Sequence, residues 1–163
     1  MARTRVTNLQ EAVLSETPDF LDPYSYRTAA MQKGLNYERE VKDYLTETFC
    51  GEVDIFLGPW IKYVEAPDYR WRYAQPDVVM LNEHNPYYPF LVIGEVKLTW
   101  KPGAVRKLNN LYEPLCRKVW PNIPVKKVQI CKGIKKNCKV EEWHQLKDIL
   151  SPDKPDYFDV HWF

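Results

Sequence analysis

The stretch QPDVVMLNEHNPYYPFLVIGEVKL, residues 75–98, predicts a β-hairpin at the centre of a sheet. Residues 77–81 are expected to form the first strand, and residues 82–89 the turn, because Asn and Pro break regular structure. Residues 90–98 are dense in β-branched and aromatic residues and are expected to form the second strand. Both faces of the two strands are almost entirely apolar, which is typical of strands buried on both sides. We therefore expect this hairpin to lie at the centre of the fold.

Three charged side chains interrupt the apolar hairpin. The predicted register puts Asp77 opposite Glu95. The same register puts Val79 opposite Ile93, and alternation along the second strand leaves Lys97 on the face of the two acids. Burying two carboxylates and an ammonium costs free energy, and a divalent cation is a common reason to keep them together. The alternative is a surface hairpin that carries a simple Glu–Lys pair.

The pattern Pro76-Asp77, a spacer, and Glu95-Val96-Lys97 resembles the motif of the PD-(D/E)xK nuclease superfamily. The resemblance implies an α/β fold with a restriction-endonuclease-like core, in which a central mixed β-sheet is flanked by helices. It also implies that Asp77, Glu95 and the backbone carbonyl of Val96 hold Mg²⁺, for which Mn²⁺ can substitute. Lys97 would orient the attacking water or stabilise the charge that builds on the phosphate.

A helix is predicted over residues 32–49, and Glu38 falls in the middle of its apolar stripe. The stripe consists of Leu35, Val41, Leu45 and Phe49. The run YERE at residues 37–40 resembles the first core helix of archaeal-type Holliday-junction resolvases, and phage-type nucleases are similar in motif. This resemblance implies that Glu38 is a third acid at the site, holding a water or a second metal ion. The alternative is a Glu that reaches a Lys or Arg at the rim of the core.

Basic residues are concentrated in residues 96–139, which hold twelve Lys or Arg and one acid, Glu113. A solvated face usually mixes signs, so this bias predicts a phosphate-binding rim, although part of it must be the polar side of a helix. The loop at residues 66–75, APDYRWRYAQ, suits phosphate contact and base stacking, or else buries Trp71 while its arginines face water. The predicted DNA contacts are Arg70, Arg72, Lys101, Arg106, Lys107, Lys126, Lys127, Lys132, Lys135 and Lys136, with Gln75 as a further candidate for the scissile phosphate.

The length of 163 residues predicts one domain with its own core. The expected parts of this single nuclease domain, 1–163, are an N-terminal arm at 1–31, a catalytic core at 32–132, and a C-terminal helix and strand extension at 133–163. In the arm, residues 9–14 favour a short helix. After Lys97 a second helix is expected, kinked at Pro114 because proline lacks the backbone donor. In the extension, residues 141–150 favour a helix and residues 157–163 an edge strand.

Several function classes are not favoured by the composition. The net charge of +1 does not by itself indicate a nucleic-acid partner. The four cysteines lack zinc spacing and do not match an iron–sulfur pattern, so reduced thiols are expected. The N-terminus lacks a secretory apolar core and no run approaches membrane-spanning length. We therefore expect an intracellular, cytoplasmic protein, in the host cytoplasm if it is viral, with no membrane partner and no small-molecule cofactor.

The sequence as a whole predicts a Mg²⁺-dependent DNA endonuclease. The small domain leaves little room for base readout, which favours recognition of DNA form, such as a branch, flap or end. The resemblance implies products with a 5′-phosphate, and a homodimer if the likeness to resolvases holds. Two alternatives remain open: an exonuclease of the same superfamily in recombination or phage DNA processing, and an inactive DNA-binding or assembly protein on the same fold.

Overall fold

A computed structural model describes residues 3–20, 28–83, 88–134 and 138–163. Its strands are β1 Leu9–Ser15, β2 Asp54–Leu57, β3 Trp60–Glu65, β4 Arg72–Ala74, β5 Val78–Asn82, β6 Phe90–Thr99, β7 Val125–Gly133, β8 Trp143–His144 and β9 Tyr157–His161. Its helices are α1 Ala29–Phe49, α2 Pro102–Lys107 and α3 Glu113–Val119, with a π-helical segment Leu108–Tyr112 between α2 and α3 and a 3₁₀ turn Leu146–Asp148.

The strands form two sheets. The larger sheet has six strands in the order β2-β5-β6-β7-β9-β8, and the smaller has the order β1-β3-β4. In the larger sheet β2, β5 and β6 pair antiparallel, whereas β6, β7, β9 and β8 pair parallel. The connection from β6 to β7 runs through α2 and α3, as a parallel pair requires. The predicted α/β class, with a central mixed sheet flanked by helices, is confirmed.

The central hairpin has the predicted register. Val79 pairs with Ile93 across β5 and β6, and Val78 pairs with Gly94. A Cβ atom at Gly94 would lie 2.7 Å from a methyl carbon of Val78, so only glycine lets the two strands close here. Extending this register by one residue brings Asp77 opposite Glu95.

Helix α1 covers one face of the large sheet. It begins at Ala29, earlier than predicted, because the Thr28 side chain caps it by accepting a hydrogen bond from the Met31 backbone N–H. Its buried residues are Tyr37, Val41, Leu45 and Phe49. Tyr37 therefore takes the buried position predicted for Leu35, which is half-buried.

The second helical region covers the opposite face, and Pro114 shapes it as predicted. Proline has no N–H to donate to the carbonyl of Asn110 four residues earlier. The backbone adopts a π-helical segment just before Pro114, a common adjustment where the α-helical ladder is interrupted. The Asn110 carbonyl instead accepts a hydrogen bond of 2.9 Å from the backbone N–H of Val6, which ties the N-terminal arm to this helix.

Three sequence predictions about the ends of the chain are wrong. Residues 9–14 form strand β1 rather than a helix, because they pair with β3 and bury Ala12. Residues 141–150 do not form a helix: they contain the two-residue strand β8 and the 3₁₀ turn, with Leu146 and Ile149 buried. Strand β9 is not at the edge of the sheet, because β8 pairs with its outer side.

Some predictions concern residues outside the described ranges. These include residues 84–87, which are half of the predicted hairpin turn, part of the N-terminal arm, and the basic residues Lys135 and Lys136. Within the described ranges, none of the helices has the length and apolar character needed to cross a membrane.

Candidate active site

The carboxylates of Asp77 and Glu95 lie side by side where β5 begins. The Val96 backbone N–H donates a hydrogen bond of 2.7 Å to Oδ2 of Asp77. The Asp77 backbone N–H donates a longer one, 3.3 Å, to Oε1 of Glu95. Each acid is thus held by the backbone of the opposite strand, so the hairpin register fixes their relative position. The structure brings these two predicted residues together.

Lys97 lies next to this pair, on the same face of β6. Its Nζ is 3.5 Å from Oε2 of Glu95. The Glu95 side chain is 3 % exposed, whereas that of Lys97 is 33 % exposed. The carboxylate is therefore buried while the ammonium remains open to solvent and to any ligand that approaches the strand end.

Glu38, which lies on helix α1, is the third acid. The negative charge of its carboxylate acts on Asp77 and contributes to raising the pKa of that group. It also accepts a hydrogen bond of 2.8 Å from Nζ of Lys42, one turn further along the helix. Glu38 thus reaches a lysine at the rim, as one interpretation predicted, and its charge also acts on a hairpin acid, while its role toward a water or a metal ion stays a prediction.

The surroundings favour protonation of this group of acids. Burial raises the pKa of Asp77 to about 8, and the negative charges of Glu95 and Glu38 add to the effect. Burial also raises the pKa of Glu95, opposed by the ammonium groups of Lys97 and Lys107. Lys42 pairs with Glu38 and Lys97 with Glu95, whereas within the described residues no ammonium pairs with Asp77, so the protonated form of this carboxyl is favoured.

The donor set fits a hard divalent cation. Within the described residues no three His, Cys, Asp or Glu side chains are already gathered as a metal cluster. The charges of Glu95 and Glu38 nevertheless both act on the carboxyl group of Asp77, so the three acids form one electrostatic group. The N–H of Val96 points to Asp77, and a strand residue directs its N–H and C=O to the same side, so the Val96 carbonyl also faces the site. Oxygen-only ligands with excess negative charge suit Mg²⁺ or Mn²⁺.

A chain of hydrogen bonds holds the backbone carbonyl of Asp77 in place. The backbone N–H of Gly58 donates to the Asp77 carbonyl at 2.8 Å, and Nε2 of Gln75 donates to the Gly58 carbonyl at 2.9 Å. The hydroxyl of Tyr112 donates to the Gln75 carbonyl at 3.2 Å. Gly58 has φ of +58°, which glycine adopts without strain. Gln75, a candidate phosphate contact, therefore also has a structural role, since its side chain braces the β2–β3 turn.

Five of the predicted DNA contacts are accessible. Arg70, Lys101, Arg106 and Lys132 are exposed. Lys107 is half-buried and lies close enough to Glu95 to lower its pKa. These side chains remain candidates for phosphate contacts.

Three other predicted DNA contacts are already engaged in the fold. Lys126 is 6 % exposed, and its Nζ donates to the carbonyls of Pro152 and Lys154 at 2.7 and 2.8 Å. Lys127 pairs with Glu113 at 2.5 Å, with 11 % of its side chain exposed. Arg72 pairs with Asp68 at 2.5 Å and lies 3.7 Å from Glu65. A buried ammonium that has two carbonyl partners cannot reach DNA, so the prediction for Lys126 is corrected.

Sequence reasoning missed two neighbours of the acids, Lys42 and Tyr112. Lys42 follows Glu38 by one helical turn, a spacing that could have signalled the contact. Tyr112 was expected to pack in the core, and it is 2 % exposed. Its pKa is raised by burial and by the charges of Glu95 and Asp77, so its hydroxyl also borders the site. No sequence signal places it there, because the π-helical segment changes the helix phase before Tyr112.

No protein-family model matches this chain, and no curated protein matches it significantly. The functional argument therefore depends on the geometry of the site and on the motif.

Proposed function

We propose that this protein is a Mg²⁺-dependent DNA endonuclease that hydrolyses phosphodiester bonds, recognising the form of the DNA more than its sequence. The observation that carries the proposal is the convergence of Asp77, Glu95, Glu38 and Lys97 at one strand end, where no ammonium pairs with the buried Asp77 within the described residues. Burying such a set without a cation costs free energy, so a fold that gains nothing from it is expected to lose it.

Mg²⁺ is the cation that best suits the site. Asp77, Glu95 and the Val96 carbonyl would hold it, and Glu38 would hold a water or a second ion. When bound, the metal polarises the phosphoryl oxygen and lowers the pKa of a coordinated water. The raised pKa of Asp77 supports this role, because a bound cation replaces the proton that the carboxyl otherwise keeps.

Lys97 supplies positive charge on the open side of the site. Its ammonium is one third exposed and is anchored by Glu95 at 3.5 Å, so it can approach a phosphate without leaving its partner. In this position it orients the attacking water or stabilises the charge that develops on the phosphoryl oxygens. Lys107, beside Glu95, adds a second cation for the backbone of the bound strand.

The order of elements supports a restriction-endonuclease-like core. After α1, the antiparallel strands β2, β5 and β6 are followed by the helical crossover and the parallel strand β7. This is the helix, strands, helix and strand order that the resemblance implies, with the acids at the central hairpin. Strands β3 and β4 are an addition between β2 and β5, and they belong to the smaller sheet.

A basic cavity gives the DNA backbone a place beside the acids. It has a volume of about 610 Å³, and its lining includes Lys97, Lys101, Lys107 and Trp100. Three ammonium groups and no carboxylate line it, which suits a phosphate backbone that approaches from the side of Lys97.

The proposal is tested by a cleavage panel. Linear, closed circular, single-stranded, flapped and four-way DNA, together with RNA, are incubated with the protein in Mg²⁺, Mn²⁺ or EDTA. We expect metal-dependent cutting of DNA, and the loss of that cutting in Lys97→Ala with DNA affinity largely kept. Lys33→Ala, an exposed lysine on α1, is the matched control.

The panel also separates the alternatives. Cutting of closed circular DNA excludes an exonuclease that needs ends. Cleavage of the four-way substrate by a dimer would favour the resolvase-like form. If the wild-type protein cuts nothing in either metal but still binds DNA, the endonuclease proposal is wrong and the protein is a binding or assembly factor.

A further inference from the structure

A second cavity, which the proposed catalysis does not use, shares Lys107 with the basic cavity. Its volume is about 430 Å³, and it lies between the small sheet and the π-helical segment. Its lining includes the cations Arg3, Arg72 and Lys107 and the aromatic side chains of Trp60, Tyr73 and Tyr112. We call it the aromatic cavity. It combines three cations and four aromatic rings and contains no carboxylate.

The aromatic cavity adjoins the catalytic acids through three of its residues. Gln75 is two positions before Asp77 in the chain. The charges of Glu95 and Asp77 act on Tyr112. The positive charge of Lys107 lowers the pKa of Glu95, and Lys107 also lines the basic cavity beside Lys97. The two cavities therefore meet at Lys107, beside Glu95, and a single strand that crosses the site can place neighbouring nucleotides in both.

The charge of the aromatic cavity favours an anion. Glu65 does not line the cavity, and its carboxylate already accepts hydrogen bonds from Arg3 and Thr7. Arg72 Nε is buried and has no hydrogen-bond acceptor within the described residues; its nearest carboxylate oxygen, on Glu65, is 3.7 Å away. Glu65 and Asp68 pair with Arg3 and Arg72, which leaves Lys107 as the cation of this cavity that has no ion pair within the described residues and can meet a phosphate group.

The shape and the aromatic walls favour one unpaired nucleotide. Trp60 and Tyr73 are only half-buried, so their rings are accessible. Aromatic faces stack on nucleobases with little regard to sequence. The volume of about 430 Å³ lies in the lower range of small-ligand sites. That is room for a single nucleotide, whereas a continuous duplex is too wide to enter.

We propose that the aromatic cavity binds one unpaired deoxynucleotide next to the bond that is cut. This inference rests on the proposed nuclease function. It narrows the substrate to DNA with unpaired residues at the cleavage position: a flap, a splayed end or a single strand. The base stacks against Trp60, and the phosphate of the nucleotide lies toward Lys107.

The inference is tested by binding, without cleavage. Fluorescence anisotropy in EDTA measures the affinity of the full-length protein for a labelled oligodeoxythymidylate and for a blunt, fully paired duplex of the same length. We expect the single strand to bind more tightly. Trp60→Leu should weaken single-strand binding by about ten-fold, the size of one lost stacking contact, and leave duplex binding unchanged. Trp60→Phe should retain the affinity, because a ring remains.

Trp143→Leu is the matched control, since Trp143 lies on β8 at the edge of the large sheet, where its ring packs on His161 outside the cavity. Circular dichroism melting shows whether each variant is folded. Equal affinity for single strand and duplex, an unchanged single-strand affinity in folded Trp60→Leu, or tighter binding of oligouridylate RNA would each overturn the inference. Loss of cleavage with every metal, while Trp60-dependent binding persists, would instead contradict the nuclease function alone.

Discussion

Two buried glutamates in this protein, Glu65 and Glu95, have nearly the same burial but very different partners. Their exposed fractions are 3 % and 2 %. Glu65 accepts hydrogen bonds of 2.5 Å from Arg3 and 2.9 Å from the Thr7 backbone N–H. Within the described residues Glu95 has only long contacts, 3.3 Å to the Asp77 backbone N–H and 3.5 Å to Lys97, and its charge acts on a second acid, Asp77.

This difference separates a structural carboxylate from a functional one. A buried carboxylate with short charge-assisted bonds stabilises the fold by joining segments that are distant in sequence, here the N-terminal arm and β3. A buried carboxylate with long contacts and like-charged neighbours destabilises the fold unless something binds to it. Burial alone would have ranked the two residues equally.

The largest expected effect is on cleavage. Glu95→Gln keeps the size of the side chain but removes a metal-binding charge, and we expect the cleavage rate to fall by about 1,000-fold, as for the loss of an essential electrostatic group. Glu65→Gln should retain cleavage within about five-fold at a temperature where it is folded. Initial rates on the best substrate of the panel measure both. A comparable loss in the two variants would show that the difference between the partners of Glu65 and those of Glu95 has no functional meaning.

The second effect is on stability, where we expect Glu65→Gln to have the larger effect and Glu95→Gln the smaller one. Glu65→Gln leaves Arg3 and Arg72 without their carboxylate and should lower the free energy of unfolding by about 2 kcal/mol. This is less than for a fully buried pair, because Arg3 is 42 % exposed. Glu95→Gln should change it little or raise it, since an uncompensated charge is removed. Urea unfolding in EDTA gives both values. Strong destabilisation by Glu95→Gln would mean that Lys97 already neutralises that acid.

The third effect is a pH dependence that arises from Asp77. The folded chain keeps a proton on this carboxyl up to about pH 8, whereas the ordinary pKa is 3.8. Between these values the folded state binds more protons than the unfolded state, so the metal-free protein should become less stable as pH rises from about 4 to about 8. Asp77→Asn should flatten this slope, and Asp54→Asn, at an exposed aspartate, should not. Thermal melting across this pH range in EDTA measures it. If the slope of stability against pH persists in Asp77→Asn, it arises from other titratable groups.

The smallest effect separates exposed from buried lysines in DNA binding. Lys101→Ala should weaken DNA affinity a few-fold and reduce the slope of log affinity against log salt by about one, as for one lost phosphate contact. Lys126→Met should leave the slope unchanged, because the ammonium is bonded to two carbonyls. Titrations at several salt concentrations test this. A reduced slope in Lys126→Met would place that lysine on the DNA after all.

The central hairpin could be predicted because its information is local. Alternation along two adjacent strands fixes which side chains share a face, and a one-residue slip would bury the wrong set. The register that joins Asp77 to Glu95 follows from apolar pairs such as Val79 and Ile93. The kink near Pro114 also follows from a single residue, because a missing N–H acts locally.

The wrong predictions depend on contacts between distant segments. Residues 9–14 contain good helix formers, yet pairing with β3 makes them a strand. Trp143, Leu146 and Leu150 have helical spacing, but residues 143–144 pair with β9 instead. The engagement of Lys126 depends on carbonyls contributed by residues 152 and 154. Local patterns cannot show which of many exposed-looking lysines will meet such acceptors.

The central claim is that Asp77 and its neighbours bind a divalent cation, and titration with Mn²⁺ followed by electron paramagnetic resonance tests it most directly. We predict stoichiometric binding at pH 8.5, weaker binding at pH 6 because the cation must displace the proton of Asp77, and loss of that binding in Asp77→Asn but not in Asp54→Asn. Equal Mn²⁺ binding by the two variants, or no binding by the wild-type protein at either pH, would contradict the account.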